Sequence, residues 1–315
     1  MHKFDSGIFF KSVLCLPVFV LCLQSYSQLT EKNYKVYSSK LATEVSINKI
    51  VEEMKVYDVL FFGEEHNDSV THYLEAKMLE FLFQKFTGNV SLSLEMFDRD
   101  VQTVMNEYLK GGIREKNFLK DARVWSNYKD YKPLVEFAKA NNVDIICANA
   151  PSRYTNLAGR KGQQALMELS EESKKNFAPL PYDTATGFYY DKLQQMSGHG
   201  NATTDTSKKM PASMPMGGFN LIVSQSLWDA TMAWSISQYR KKHKGKKILQ
   251  VNGRFHSDEG FAIVTQLKKY SPKIKALVIS SGTDESFPNI DWSKHKQLGD
   301  YIIITDPSFP KSFSE

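Results

Sequence analysis

An α/β fold, with a mostly parallel sheet flanked by helices, follows from three observations. Short apolar runs alternate with longer segments of helical spacing, several of those runs end abruptly in polar residues, and one long middle stretch contains no strand-like run. That stretch, about residues 151–218, reads as a smaller helical subdomain inserted between two portions of the core, about 45–150 and 219–306.

The elements can be justified in order. Lys3 and Lys11 accompany an apolar stretch, Ser12 to Leu23, which leads to Ser25-Tyr26-Ser27. This has the form of a secretory signal peptide cleaved after Ser27, leaving residues 28–315 as the mature domain. The alternative is an uncleaved anchor, although the stretch is short for a span of about 20 residues. Leu14 precedes Cys15 and Leu21 precedes Cys22, so neither cysteine follows the small residue that a lipid-attachment signal requires.

Val59-Leu60-Phe61-Phe62 anchors a strand over 56–63, and a helix follows over 68–86 with Val70, Tyr73, Leu74, Lys77, Met78, Phe81 and Leu82 at spacings of three and four. A second strand spans 89–96. Asp98 then has the chemistry of a cap for a helix ending near Leu109, before Gly111-Gly112. A helix at 131–141 leads into a strand at 143–148. Past the helical middle and the loop 198–218, a long helix is expected from Asn220 to His243. Strand 247–252, helix 257–270, strand 275–280 and a late strand 301–305 complete the series.

Composition narrows the function. With residues 1–27 removed, 38 basic and 34 acidic residues remain, a net charge of +4 and too mild to imply a nucleic-acid partner. Cys147 is the one cysteine left, so no internal disulfide can form, and its apolar neighbours make it a core residue rather than a nucleophile.

The chemistry gathers at strand ends, which converge on one crevice in an open parallel sheet. His66 follows the first strand in Gly63-Glu64-Glu65-His66, His256 follows the strand before Asn252-Gly253, and Glu95 ends the second strand. Imidazoles and carboxylates together suit a divalent metal ion held by His66, Glu95 and His256, or acid–base catalysis by Glu64, His66, Glu95 and His256. The alternative is structural: both histidines precede plausible helix starts, at Asn67-Asp68 and at Ser257-Asp258-Glu259. Glu95 needs a partner, either Arg99 or a metal or protonated ligand. Asn149 can hydrogen-bond at the crevice, Arg153 can fork onto a carboxylate or propionate, and Tyr154 can ligate ferric iron or simply pack. On the long helix Gln225, Trp228, Asp229 and Met232 share a face, and its polar members are expected to point at the site. His199, near Met210, Met214 and Met216, offers either a ligand arm or a surface loop, and the basic run 240–247 a solvated helix end.

Six landmarks carry a resemblance: Gly63-Glu64-x-His66, Leu94-Glu95-Met96-Phe97-Asp98-Arg99-Asp100-x-Gln102, Trp125, Asn149-Ala150-Pro151-Ser152-Arg153-Tyr154, Gln225-x-x-Trp228-Asp229-x-x-Met232-Ala233 and Gly253-x-x-His256-x-x-x-Gly260. In this order, across about residues 45–282, the chain resembles the ChaN-like haem-binding proteins of the Tiki and erythromycin-esterase-like superfamily. The resemblance implies an exported, periplasmic or envelope-associated protein of haem and iron uptake. Haem or another small molecule is its implied ligand, and an outer-membrane uptake receptor and a second copy of the chain are its implied partners. Tyr154 and His199 are then the candidate iron ligands, Arg153 a propionate partner, and Asn149, Gln225 and Asp229 further contacts. Hydrolases of the same superfamily imply a competing reading, a metal-dependent hydrolase using the strand-end histidines and glutamate. A carrier with idle histidines is the third.

Overall fold

The computed structural model describes residues 29–196 and 219–314. The expected signal peptide, His199 and the three loop methionines lie outside the described residues. In chain order the first elements are β1 (Tyr34–Ser38), β2 (Thr43–Glu44), α1 (Ile47–Glu53), β3 (Val59–Glu64), α2 (Ser69–Lys85) and β4 (Val90–Asp98). Next come α3 (Gln102–Leu109), α4 (Glu115–Asp121), α5 (Tyr128–Ala140), β5 (Asp144–Asn149), α6 (Ser152–Met167), α7 (Glu171–Lys174) and α8 (Gly187–Met196). The chain continues with α9 (Leu221–Lys242), β6 (Lys247–Gly253), α10 (Ile263–Tyr270), β7 (Ala276–Thr283) and β8 (Tyr301–Thr305).

The eight strands form one sheet in the order β2-β1-β8-β7-β3-β6-β4-β5. From β8 to β5 every pairing is parallel, and only the β1–β8 and β1–β2 pairings are antiparallel. Helices cover both faces, which is why β3 reads as an unbroken apolar run rather than an alternating one. Leu60 and Phe62 pack with α1, α2 and α5 on one face, whereas Val59 and Phe61 pack with α9 and α10 on the other. All four are fully buried, each worth about 1.5–3 kcal/mol relative to exposure. Past β5, α6 packs on α9 through Tyr154, Ala158, Leu227 and Ala230, adding a helical layer outside the sheet. Among the described residues no helix is long and apolar enough to cross a membrane.

Several local expectations are corrected. β1, β2, α1 and α4 have no counterpart in the sequence reading. Asp98 does not cap a helix: a 3-10 turn (Arg99–Val101) intervenes, and its carboxylate pairs with Arg123 at 3.1 Å. The helix expected from residue 257 starts only at Ile263, because Glu259 (φ 61°) and Ala262 (φ 47°) adopt left-handed backbone that breaks it. Ser257 and Asp258 are occupied elsewhere, by Asn252 and Arg254, rather than capping. The basic helix end is not merely solvated either, since Arg240 pairs with Asp58 at 2.9 Å and Lys246 with Asp144 at 2.8 Å. On α2 the buried face carries Thr71, His72, Leu74, Glu75, Met78 and Leu82, while Tyr73 points outward.

Candidate functional site

Two adjacent parallel strands build the site. β3 and β6 pair with Glu64 opposite Gly253. From β3 the chain crosses one face through α2 to β4, and from β6 it crosses the other face through α10 to β7. Crossovers that diverge onto opposite faces leave a crevice at the carboxyl ends of the two strands. A cleft of ≈ 510 Å³ opens there, lined in part by Glu64, His66, Gln225, Arg254, His256 and Lys311.

Close approach in this crevice explains two glycines. A Cβ on Gly253 would lie 2.9 Å from His66 Nε2 and 3.8 Å from Glu95 Oε2, so the bare backbone makes room for the imidazole. Gly63 serves the contact between the two strand ends. A Cβ there would come within 2.9 Å of both Arg254 Cα and Ser257 Oγ.

Strand alternation assigns the polar groups to two compartments. Glu95 follows Ser91 and Ser93 on the α9 face, whereas Leu92, Leu94 and Met96 face α2 and α5. There Glu95 Oε2 accepts from Gly253 N at 2.7 Å, and Oε1 lies 3.5 Å from His256 Nε2. Asp229 on α9 places Oδ1 2.6 Å from His256 Nδ1, while its Oδ2 accepts from the Tyr189 hydroxyl at 2.8 Å. Gln225, one turn earlier, brings its side-chain amide within 3.2 Å of His256 Nε2. Burial alone would lower the pKa of His256, but Glu95 and Asp229 outweigh it and push it up to about 9. A protonated histidine is therefore the partner that Glu95 requires. Arg99 bonds instead to Ser235 Oγ at 2.7 Å.

The second compartment surrounds Glu64 on the α2 and α5 face. Its Oε1 meets His66 Nδ1 at 2.8 Å and accepts from the Tyr131 hydroxyl at 2.8 Å. Its Oε2 lies 3.1 Å from His72 Nδ1, which is also 3.2 Å from Glu75 Oε2. Glu64 and Glu75 are both fully buried. Burial raises both carboxyls, yet hydrogen bonds from His66 and His72 hold Glu64 below the usual range, and Glu75, beside the Glu64 charge, is pushed well up. Trp125 meets the His66 ring edge-on at 5.3 Å between centroids. Among the described residues, Glu64, His72 and Glu75 form the one set of three ligand-bearing side chains whose donor atoms all lie within 4.8 Å of one another.

Glu64, His66, Glu95, Gln225, Asp229 and His256 are thus brought together. Asn149, Arg153 and Tyr154 do not line the same cleft. Asn149 Oδ1 accepts from Ala150 N, a local turn contact. Arg153 pairs with Asp100 at 2.7 Å and lies 4.4 Å above the Tyr154 ring, whose hydroxyl it bonds at 3.3 Å. Burial pushes the Tyr154 phenol up, but bonds from Ser173 and Arg153 outweigh it and leave the pKa lowered. Trp228 serves packing, donating to the Ala150 carbonyl at 3.2 Å. Cys147 is buried with its thiol pushed up by desolvation, as a core residue should be.

Sequence reasoning missed His72, Glu75, Tyr131 and Tyr189. A signal existed for the first two: both fall on the buried stripe of α2, where an unpaired polar group is costly.

Comparison with known proteins follows the same outline. The family model described as "Haem-binding uptake, Tiki superfamily, ChaN" matches residues 50–267, more than half of the chain. A solved structure of ChaN from Campylobacter jejuni, described with cofacial haem binding, is similar with a TM-score of 0.62 at 17% identity, over 87% of this chain and 98% of that one. Weaker likenesses are the type III effector HopBA1 (TM-score 0.43, 11% identity, 82% of this chain and 91% of that one) and a Bacillus cereus protein (0.41, 12%, 76% and 70%). No curated protein matches the chain. The match spans more than half of the chain, and the chain belongs to the ChaN haem-binding uptake family of the Tiki superfamily.

Proposed function

We propose that this chain is an exported haem-binding protein of haem and iron uptake. The observation that carries the reading is the family match over residues 50–267. Tyr154 supplies the ligand chemistry: it is packed against Phe177 with its hydroxyl bonded by Arg153, its pKa is lowered, and phenolate oxygen ligates haem iron. Arg153, half exposed above that ring, has the fork that pairs with a propionate. Haem would supply the iron chemistry; this chain's part is to hold it, with Tyr154 as ligand and Arg153 as anchor. A second copy of the chain and an outer-membrane receptor are the partners this role calls for, in the periplasm or at the cell envelope. Titrating haemin into haem-free protein tests the reading. A saturable Soret shift at micromolar haemin is the expected result, and its absence would overturn the proposal.

One observation favours a second reading, metal-dependent hydrolysis. His66 Nε2 and Glu95 Oε2 face the same point above Gly253, next to the His256–Asp229 pair. A divalent ion there would supply a Lewis acid and an activated water, and it would have to displace the proton that His256 carries. Ester or amide hydrolysis that requires added metal and disappears in His66→Ala and His256→Ala is its signature. No hydrolysis with zinc or manganese added, or activity unchanged in both variants, sinks it.

A further inference from the structure

Behind the open cleft lies a second constellation, of which only Glu64 also lines the cleft. We infer that Glu64, His72 and Glu75 form a buried site for one divalent cation of the zinc or manganese type, set beneath His66 and separate from the His256 compartment.

One proton on His72 decides the chemistry of the cluster. His72 Nε2 lies 3.0 Å from the His66 carbonyl oxygen, which can only accept, so Nε2 carries the hydrogen. In a neutral imidazole Nδ1 then presents a lone pair. It faces Glu64 Oε2 at 3.1 Å and Glu75 Oε2 at 3.2 Å, two further acceptors. Three acceptors converging on one point need a cation between them, either a metal ion or the proton that turns His72 into an imidazolium. Bonds of about 2.0–2.2 Å meeting at octahedral to tetrahedral angles put ligand atoms about 3.0–3.5 Å apart, which matches both separations.

The surroundings are those of a ligand set. A metal-bound histidine almost always donates its other ring N–H to a carbonyl or carboxylate, as His72 does. The remaining oxygen of Glu64 is oriented by Tyr131. Glu75 Oε1 is buried without a hydrogen-bond partner, and Glu64 Oε2 is buried with His72 Nδ1 beside it, a costly state for carboxylate oxygens unless a cation sits among them. The ligands balance the ion in charge, two carboxylates and a neutral imidazole against two positive charges, with the Asp130 carboxylate 3.9 Å from His72 Nε2 on the far side of the ring. One imidazole with two carboxylates suits zinc, manganese or iron(II) better than calcium. Because Glu64 Oε1 holds His66 Nδ1 at 2.8 Å, an ion on Oε2 would fix the carboxylate that orients the cleft histidine.

The rival occupant is protons alone, one completing an imidazolium on His72 and one on Glu75. Metal analysis separates the two. Full-length mature protein, dialysed against micromolar zinc or manganese and then against metal-free buffer, should retain about one ion per chain. Glu75→Gln and His72→Asn should lose it, while His256→Ala and Glu95→Gln should keep it. Wild-type protein without retained metal overturns the inference, as does an ion that survives in Glu75→Gln or vanishes in His256→Ala. X-ray absorption at the metal edge of the wild type needs no variant to fold. One imidazole among oxygen ligands is expected, and two imidazoles would place the ion between His66 and His256 and overturn the assignment. The inference stands apart from haem binding, which the Soret titration tests independently.

Discussion

Asp229 Oδ1 lies 2.6 Å from His256 Nδ1, so a helix of one crossover layer reaches the strand end of another element and holds its imidazole in one orientation. With Glu95 on the other side, the pair keeps His256 protonated to about pH 9 although the ring is buried. Asp229→Asn should therefore lower the His256 pKa toward or below its ordinary value of about 6.5. An NMR titration of the His256 ring between pH 5 and 10 measures this, and an unmoved midpoint refutes the assignment.

The same pair makes stability depend on pH with a definite sign. The folded pKa of His256 is raised, so its contribution is complete below about pH 6.5 and is lost as pH rises through about 9. At about 1.4 kcal/mol per unit the contribution is on the order of 3 kcal/mol. Urea unfolding at pH 6 and pH 10 should show a fall that His256→Asn largely abolishes; equal falls in both proteins would count against it.

Gly253→Ala tests the close approach of His66. The added methyl would sit 2.9 Å from Nε2, tighter than real contacts allow, so the imidazole must swing away from residue 253. Overpacking of this kind costs about 1–3 kcal/mol. Expected are a lower thermal midpoint and a shifted His66 resonance, with the circular dichroism unchanged. A variant as stable as the parent, with His66 unmoved, would disprove the contact.

How much of this was legible beforehand depended on range. The apolar run Val59–Phe62 announces a strand buried on both faces, and the alternation of strands and helices announces a parallel sheet whose ends converge. Those two facts place His66 and His256 in one crevice. That β6 inserts between β3 and β4 is a long-range fact with no local signature. The β1 edge is likewise invisible, since Tyr34–Ser38 becomes a strand only by pairing with Tyr301–Thr305 at the far end of the chain. Apolar spacing put Tyr73 and Lys77 on the buried face of α2. His72 and Glu75 occupy that stripe instead because Glu64 and Tyr131 wait there to pair with them. Residues 257–270 read as one helix because propensity carries no warning of left-handed backbone at Glu259 and Ala262.

Tyr131→Phe probes the buried compartment without changing charge. It removes the hydroxyl that Glu64 Oε1 accepts at 2.8 Å. Losing a hydrogen bond to a buried carboxylate costs about 1.5–3 kcal/mol. Denaturant unfolding should show that loss at neutral pH, and a change below about 0.5 kcal/mol would mean the bond contributes nothing net.

Haem binding and the strand-end histidines can be separated by two sets of substitutions. Tyr154 and Arg153 stand at the start of α6, outside the cleft of His66 and His256. If Tyr154 is the iron ligand, Tyr154→Phe should abolish the phenolate-to-iron charge-transfer band and move the Soret maximum. Arg153→Ala, removing a charge-assisted bond of about 1.5–3 kcal/mol, should weaken haemin about ten- to a hundredfold. His256→Ala should leave the spectrum and Kd unchanged, because its ring is buried among Glu95, Asp229 and Gln225. The reverse pattern, with normal spectra in Tyr154→Phe and loss of binding in His256→Ala, would move haem into the cleft and remove Tyr154 from the site.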